Sequence, residues 1–144
     1  MNPATDRIYL DNAATTPMDP EVVDAMIPMM REHYGNPSST HAHGRKVKGI
    51  IEESRGKIAA LLNCSPGEIF FTSGGTEADN LALRGSVAKL GVKNIITSPI
   101  EHHAVLHTAE DLHHSQGIGM HLVNILPNGH VDTQHLAQLL SNNP

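Results

Sequence analysis

The sequence has no tryptophan, a single cysteine and little positive charge. Cys64 therefore has no partner for an internal disulfide, as is typical of a reducing compartment. Ten lysines and arginines stand against fifteen acidic residues, and this balance disfavours nucleic-acid binding. The longest apolar runs, such as residues 58–62, fall far short of the roughly 20 residues that span a bilayer. We expect a cytoplasmic, unsecreted protein without nucleic-acid or membrane partners.

What the sequence does contain is enough apolar material to fold. Hydrophobic residues make up 39% of the 144 residues, which is too much for a disordered chain and suits one ordinary domain. No repeat or low-complexity linker divides the sequence. The eleven histidines are the one unusual count.

Two helices are predicted in the first half of the chain. Asp19 is expected to cap the first helix, with Pro20 in its first turn and Pro28 kinking or interrupting it. A second helix is expected from about Gly44 to residues 63–67, which stop it. The expected apolar faces consist of Val22, Val23, Met26, Ile27 and Met30 in the first helix, and Val47, Ile50, Ile51, Ile58, Leu61 and Leu62 in the second.

Strand and helix patterns alternate in the second half. Strands are predicted at residues 69–72, 94–98 and 120–126, and each precedes a helical pattern; Asp132 is expected to cap the last helix. This alternation is typical of βαβ units. It predicts an α/β fold, a partial three-layer arrangement with a parallel sheet and helices on both faces. Three strands are few for such a fold, so we expect the front part of a larger domain.

Residues 73–76 (Ser-Gly-Gly-Thr) join the first predicted strand to its helix. A glycine turn at a helix N-terminus offers free backbone N–H groups to an anion, and Thr76 can donate to a phosphate or cap the helix with Asp79 at capping-box spacing. A well-capped helix without a ligand explains the same residues. No lysine follows the glycines, which excludes a Walker loop.

His102 follows the second predicted strand, at the carboxyl end where ligands bind in open α/β sheets. Such a histidine could stack on a flat ring and move protons near neutral pH, or it could simply be a surface residue. His103 and His107 are four residues apart, but no third ligand accompanies them, and no metal site is expected. Solvated positions are expected for His113, His114, His121, His130 and His135.

Four stretches together resemble the pyridoxal-phosphate cysteine desulfurases of the class V aminotransferase group, in the same order and spacing. They are residues 9–17 (Tyr-Leu-Asp-Asn-Ala-Ala-Thr-Thr-Pro), residues 35–39 (Gly-Asn-Pro-Ser-Ser) with His41 and Gly44-Arg45, residues 71–80 (Phe-Thr-Ser-Gly-Gly-Thr-Glu-Ala-Asp-Asn), and residues 96–98 (Ile-Thr-Ser) with Glu101-His102.

The resemblance implies pyridoxal 5'-phosphate as cofactor and the large domain of fold type I. It implies that Gly75 and Thr76 bind the cofactor phosphate and that His102 stacks on the pyridine ring and transfers protons. Residues 1–17 would form an N-terminal segment near the small domain and the active-site entrance, and residues 18–144 the first part of the cofactor domain. Near the substrate, the resemblance places Asn12, Ala13, Ala14, Thr15 and Asn36.

The family removes sulfur from L-cysteine to give L-alanine and an enzyme persulfide, used for iron–sulfur clusters or thiolation. The complete enzyme is expected to be a homodimer that docks a sulfur-acceptor or scaffold protein. The family's lysine, in a Ser-x-His-Lys context, and its late persulfide cysteine have no counterparts here, so the chain alone is expected to be inactive. Cys64 is interpreted as a structural thiol, and the five lysines lie in or beside predicted helices: Lys46, Lys48, Lys57, Lys89 and Lys93.

Three other interpretations remain open. The chain could belong to another class V enzyme, either a selenocysteine lyase or an aminotransferase. It could be a truncated, non-catalytic module that binds a full-length relative or an acceptor protein. A histidine-based metal carrier is the third, and the scattered histidines argue against it.

Overall fold

The structure, a computed structural model, describes residues 8–143 and divides at residues 70 and 71 into two compact units. Among these residues, no helix combines the length and apolar character needed to cross a membrane. The elements of the first unit are α1 (Pro20–Glu32), α2 (Ala42–Leu62) and a 3-10 turn (Pro66–Glu68). Those of the second unit are α3 (Gly75–Leu90), β1 (Asn94–Thr97), α4 (His103–Gln116), β2 (Gly119–Leu122) and α5 (Thr133–Asn142).

The start of α1 is as predicted, and the helix continues past Pro28. The Asp19 carboxylate accepts a hydrogen bond from the Glu21 N–H at 2.9 Å, and Pro20 occupies the first turn. Pro28 does not interrupt the helix, which continues to Glu32. Proline removes one N–H donor and crowds the carbonyl four residues earlier, but the ladder resumes beyond it, where the His33 N–H donates to the Met29 carbonyl at 3.2 Å.

The second helix begins at Ala42, two residues before the predicted Gly44. His41 makes the earlier start possible because its Nδ1 accepts a hydrogen bond from the Gly44 N–H. The predicted stop is confirmed: Asn63 adopts the left-handed conformation with φ 53°, and the Cys64 N–H returns to the Ala59 carbonyl at 3.0 Å.

The predicted apolar faces of the first unit are largely uncovered. No residue of α1 is buried, and only Gly44 and Ala59 are buried in α2. Leu61, expected on the packed face, is 86% exposed. Helical spacing identified the helices correctly, but it did not identify which side chains are buried.

The second unit contains a parallel pair of strands. Residues 94–97 pair with residues 119–122 in register, starting at Asn94 opposite Gly119. The Gly119 N–H donates to the Lys93 carbonyl and the Val123 N–H to the Thr97 carbonyl, both at 2.8 Å, so the ladder extends past each end. The predicted α/β class is confirmed.

The predicted strand at residues 69–72 is not formed in the structure. A β-strand requires hydrogen bonds to a neighbouring strand, and the described sheet consists of β1 and β2 alone. Phe70, expected to be buried there, is 72% exposed. The predicted strand at 120–126 is also shorter, because the chain leaves the sheet after Leu122 and Ile125 instead forms an isolated antiparallel bridge with Val131.

The core of the second unit lies between its helices and its sheet. Ala109 and Leu112 of α4 are fully buried and form a cluster with three other buried residues, Val87, Ile95 and Ile118. Burial of a leucine side chain contributes roughly 1.5–3 kcal/mol. This cluster fixes α4 against α3 and the sheet, and the N-cap of α4 is the predicted functional histidine, His102.

Candidate functional site

The turn that precedes α3 differs from the predicted capping box. α3 begins at Gly75, so Thr76 lies inside the first turn and cannot be the cap that was expected to pair with Asp79. The residue in the cap position is Gly74, which has extended backbone angles and no side chain to accept a hydrogen bond. In the part of the chain that the structure describes, every other α-helix has a side-chain cap: Asp19, His41, His102 and Asp132.

Glu77 stabilises the turn from inside the helix. Its Oε2 accepts hydrogen bonds from both the backbone N–H and the hydroxyl of Ser73, each at 2.7 Å. These bonds hold the pKa of the Glu77 carboxyl below its usual value, and the bond from the Ser73 hydroxyl has the larger effect. This role of Glu77 was not predicted from the sequence, although the Ser-x-x-x-Glu spacing is visible in residues 73–77.

The first turn of α3 suits a phosphate group. Its early N–H groups lack carbonyl partners within a helix, and the helix dipole favours negative charge at this end. Both Gly75 and Thr76 are exposed, and a Cβ atom built on Gly74 or Gly75 would meet nothing within 4 Å. Backbone donors, the Thr76 hydroxyl and open space therefore coincide at residues 74–76.

His102 lies at the N-terminus of α4. Its Nδ1 accepts a hydrogen bond from the Ala104 N–H at 3.1 Å, so the ring caps the helix in a defined orientation. In the neutral ring this bond places the proton on Nε2, because Nδ1 serves as the acceptor. The residue is exposed, and Nε2 is thus able to donate a proton or a hydrogen bond to a ligand.

The α3–α4 packing brings the two predicted site elements together. Asn80, the sixth residue of α3, bonds to Thr108, the sixth residue of α4, at 2.9 Å. About one turn further on in each helix, Arg84 pairs with Asp111 at 2.8 Å. Both pairs join residues that are similarly far from the N-termini of their helices. The helices therefore run parallel, and their N-termini lie at the same end. The turn containing Thr76 and the cap His102 share that end.

The other predicted site residues belong to the first unit. Residues 12–15 lie in an exposed turn, in which the Ala14 and Thr15 N–H groups donate to the Asp11 carbonyl at 3.1 and 3.3 Å. The Thr15 hydroxyl also bonds to the Tyr9 hydroxyl at 2.6 Å. Asn36 closes a turn of its own, its Oδ1 accepting from the Ser38 N–H at 2.9 Å.

The approach of Gly44 to Asn36 explains one glycine of the sequence. A Cβ atom on Gly44 would lie 2.6 Å from the Asn36 carbonyl oxygen, so a larger residue would displace the turn. The exposed amide turn therefore depends on a buried glycine at the start of α2.

Five other histidines of the second unit make contacts within it. His103 and His107 bring their ring centroids to 4.8 Å, yet residues 8–143 contain no cluster of three or more metal-ligating side chains. Three histidines expected to be merely solvated form hydrogen bonds: His113 with the Ile118 carbonyl at 2.7 Å, His121 with Asn94 at 3.2 Å, and His135 with the Asn124 N–H at 3.0 Å. They stabilise loops and strands, a role that composition did not reveal.

Comparison with known proteins identifies the family to which this sequence is similar. The sequence model of the family described as "Aminotransferase class-V" matches residues 8–144. A cysteine desulfurase IscS of Dictyoglomus turgidum is 46% identical over 138 residues, which cover 92% of this chain and 34% of that protein.

Solved structures that resemble this chain include proteins of the same kind. A NifS-like protein superposes with a TM-score of 0.83 at 41% identity, over 92% of this chain and 37% of that one. A structure described as SspA in complex with cysteine gives 0.79 at 34% identity, over 94% and 39%. The chain thus spans about a third of the length of the relatives it matches.

Proposed function

The chain belongs to the class-V aminotransferase family, and from this premise we propose that it is the amino-terminal part of a pyridoxal-phosphate-dependent cysteine desulfurase. The proposed reaction takes L-cysteine and an enzyme thiol to L-alanine and an enzyme persulfide, which supplies sulfur for iron–sulfur cluster assembly or thiolation. The observation that supports this proposal is that Thr76 and His102 lie at the same end of the packed helices α3 and α4. The chain that contains them is 46% identical to a cysteine desulfurase over 138 residues.

The residues at this end fit pyridoxal 5'-phosphate. The Gly75 and Thr76 N–H groups and the Thr76 hydroxyl would bind the phosphate, because they combine donors, dipole and open space. The Glu77 carboxylate accepts from Ser73, which holds the turn in shape. The bound cofactor would supply an electron sink for cleavage beside the amino carbon of the substrate.

His102 would contribute its ring face and its proton. Its capping bond to the Ala104 N–H fixes the imidazole, so the ring can stack on the flat cofactor without reorienting. The Nε2 atom would hold or deliver a proton to the substrate or the cofactor. We assign His102 as the catalytic residue of this chain.

Other residues that the resemblance identifies would lie on the substrate side. We propose that residues 1–17 line the entrance, of which residues 1–7 lie outside the described range, and that residues 18–144 begin the cofactor domain. Asn12, Ala13, Ala14, Thr15 and Asn36 would lie near the substrate in the complete enzyme. That enzyme would be a cytoplasmic homodimer that passes sulfur to an acceptor or scaffold protein.

Two required groups are missing from this stretch of sequence. None of the five lysines has the Ser-x-His-Lys context of the cofactor-bearing lysine, and Cys64 lies between the end of α2 and the 3-10 turn. We therefore expect residues 1–144 alone to be inactive. Activity would require the longer polypeptide implied by relatives nearly three times this length.

The experiment is to isolate the polypeptide at its natural length from its source cells and add pyridoxal 5'-phosphate and L-cysteine. The proposal predicts L-alanine and a protein persulfide in equal amounts, and neither product from residues 1–144 alone. Alanine formation by the short chain would contradict the need for the missing lysine. Release of selenium from selenocysteine but no sulfur from cysteine, or amino transfer to a 2-oxo acid, would instead support the other class V activities.

A further inference from the structure

The side chain of Asn80 forms three hydrogen bonds in three directions. Its Nδ2 donates to the Thr76 carbonyl at 2.9 Å, while its Oδ1 accepts from the Thr108 hydroxyl at 2.9 Å and from Arg84 Nε at 3.1 Å. The orientation of the amide is fixed, because a carbonyl can only accept and a guanidinium can only donate. Asn80 thus links the first turn of α3 to α4.

The bond to Thr76 acts on the proposed phosphate site. Asparagine is unfavourable inside a helix because its side chain competes for backbone groups, and here it bonds to the carbonyl four residues earlier. That carbonyl belongs to the residue whose hydroxyl and N–H would contact the phosphate. The bond therefore restrains the first turn of a helix that has no side-chain cap.

The bond to Thr108 acts on α4. Thr108 is only 4% exposed, so its hydroxyl would be buried and unsatisfied if Asn80 did not accept from it. Arg84 reinforces the contact, since its Nη1 reaches Asp111 at 2.8 Å while its Nε reaches Asn80. The Arg84–Asp111 pair is half exposed and contributes little by itself, which leaves the part-buried Asn80–Thr108 bond as the main polar link between the helices.

We propose that Asn80 is a positioning residue that fixes Thr76 relative to α4 and its cap His102. This inference rests on the proposed function, because a phosphate on Thr76 and a ring on His102 would belong to one small, stiff molecule. Two contacts with such a molecule require a constant separation of the contacting residues, and a misplacement of about 1 Å reduces rates by up to a hundredfold. Asn80 sets this separation without touching the cofactor.

The test uses the natural-length polypeptide and measures pyridoxal 5'-phosphate affinity by equilibrium dialysis at 25 °C. Asn80→Leu removes all three bonds at similar volume, and we expect its Kd to rise about tenfold, the effect of losing about 1.4 kcal/mol. Thr108→Val removes only the link to α4 and should raise Kd at least threefold, whereas Thr108→Ser should restore it to within twofold. Asn143→Leu is the matched control, because Asn143, the residue directly after α5, makes the same backward bond, to the Leu139 carbonyl at 2.9 Å.

A second readout separates this inference from the proposed function. Amide hydrogen exchange of residues 78 and 79, measured without cofactor, should be faster in Asn80→Leu than in wild type and unchanged in Asn143→Leu, because the N–H groups bonded to carbonyls at the start of α3 begin at Ala78. Equal Kd values for wild type, Asn80→Leu and Thr108→Val would overturn the positioning role. If wild type binds no cofactor, the proposed function fails, and the exchange rates still decide whether Asn80 restrains the turn. If Asn80→Leu does not fold, the Thr108→Val and Thr108→Ser pair decides.

Discussion

The Glu77 carboxylate accepts two hydrogen bonds of 2.7 Å from Ser73, one from its backbone N–H and one from its hydroxyl. The acceptor lies four residues after the donor, so the bonds close a loop around Gly74, Gly75 and Thr76. A turn containing two adjacent glycines is thereby given a defined shape before any ligand binds. The contribution of these two hydrogen bonds should be visible when the Glu77 carboxyl is titrated.

The first prediction concerns the pH dependence of this loop. Hydrogen bonds from Ser73 lower the Glu77 pKa from its usual value of 4.5, so the folded state binds this proton less tightly than the unfolded chain. The stabilisation is complete above pH 4.5 and disappears as the pH falls through the lowered pKa. A carboxyl NMR titration should give a midpoint below 4.5, and Ser73→Ala should move it upward. A midpoint at or above 4.5 in wild type would contradict the structure.

The second prediction concerns the hydroxyl of Thr76. Thr76→Val preserves the shape and removes one donor to the phosphate, so cofactor affinity in the natural-length protein should fall about tenfold, as expected for a hydrogen bond to a charged group. Thr76→Ser retains the hydroxyl and should bind within about threefold of wild type. Spectrophotometric titration with pyridoxal 5'-phosphate measures both. Equal affinity in the valine and serine variants would exclude the hydroxyl from the site.

The third prediction separates the two roles of His102. Asparagine is a good helix cap, so His102→Asn should preserve the cap that Nδ1 provides while removing the ring and its proton. We expect nearly unchanged stability and a decrease in alanine formation of about a hundredfold. His102→Ala should lose the activity and also about 1 kcal/mol of stability. An active asparagine variant would limit His102 to a capping role.

The fourth prediction concerns the core beneath the site. Leu112 is fully buried in α4, and Leu112→Ala should decrease the free energy of unfolding by about 2–5 kcal/mol through the cavity it creates. Leu122→Ala, at a half-exposed position in β2, is the matched control and should have a much smaller effect. Urea denaturation of the two variants provides the comparison. Similar losses in both would mean that α4 is not anchored by the Leu112 cluster.

Signals confined to a few neighbouring residues predicted the fold well. The Asp19 and Asp132 caps were predicted because a cap is a bond between residues two or three apart. The strand at 69–72 was predicted from the same kind of local pattern, yet a strand is completed by a partner that no local pattern specifies. For the same reason, Leu61 was assigned to a packed face that the first unit leaves open.

The candidate site shows the same limit. Gly75, Thr76 and His102 were identified from motifs that lie at the ends of predicted elements. The side chains that hold these residues in place were not, because the bond from Asn80 to Thr108 crosses 28 positions of sequence. Ser73 and Glu77 are close in sequence, but their pairing depends on the helix beginning at Gly75 and not at Glu77.

The uncapped start of α3 implies a trade-off between the stability of the helix and its ability to bind an anion. Gly74 has extended backbone angles that any residue can adopt, and the space beside it is open, so an aspartate there would fit and could cap the helix. Such a cap typically adds about 1 kcal/mol to stability. It would also place a negative charge on the donors that a phosphate would use. An aspartate introduced to make this helix more heat-stable would therefore compete with the anion for the same N–H groups. An engineered variant that is meant to bind the anion should keep the helix without a cap.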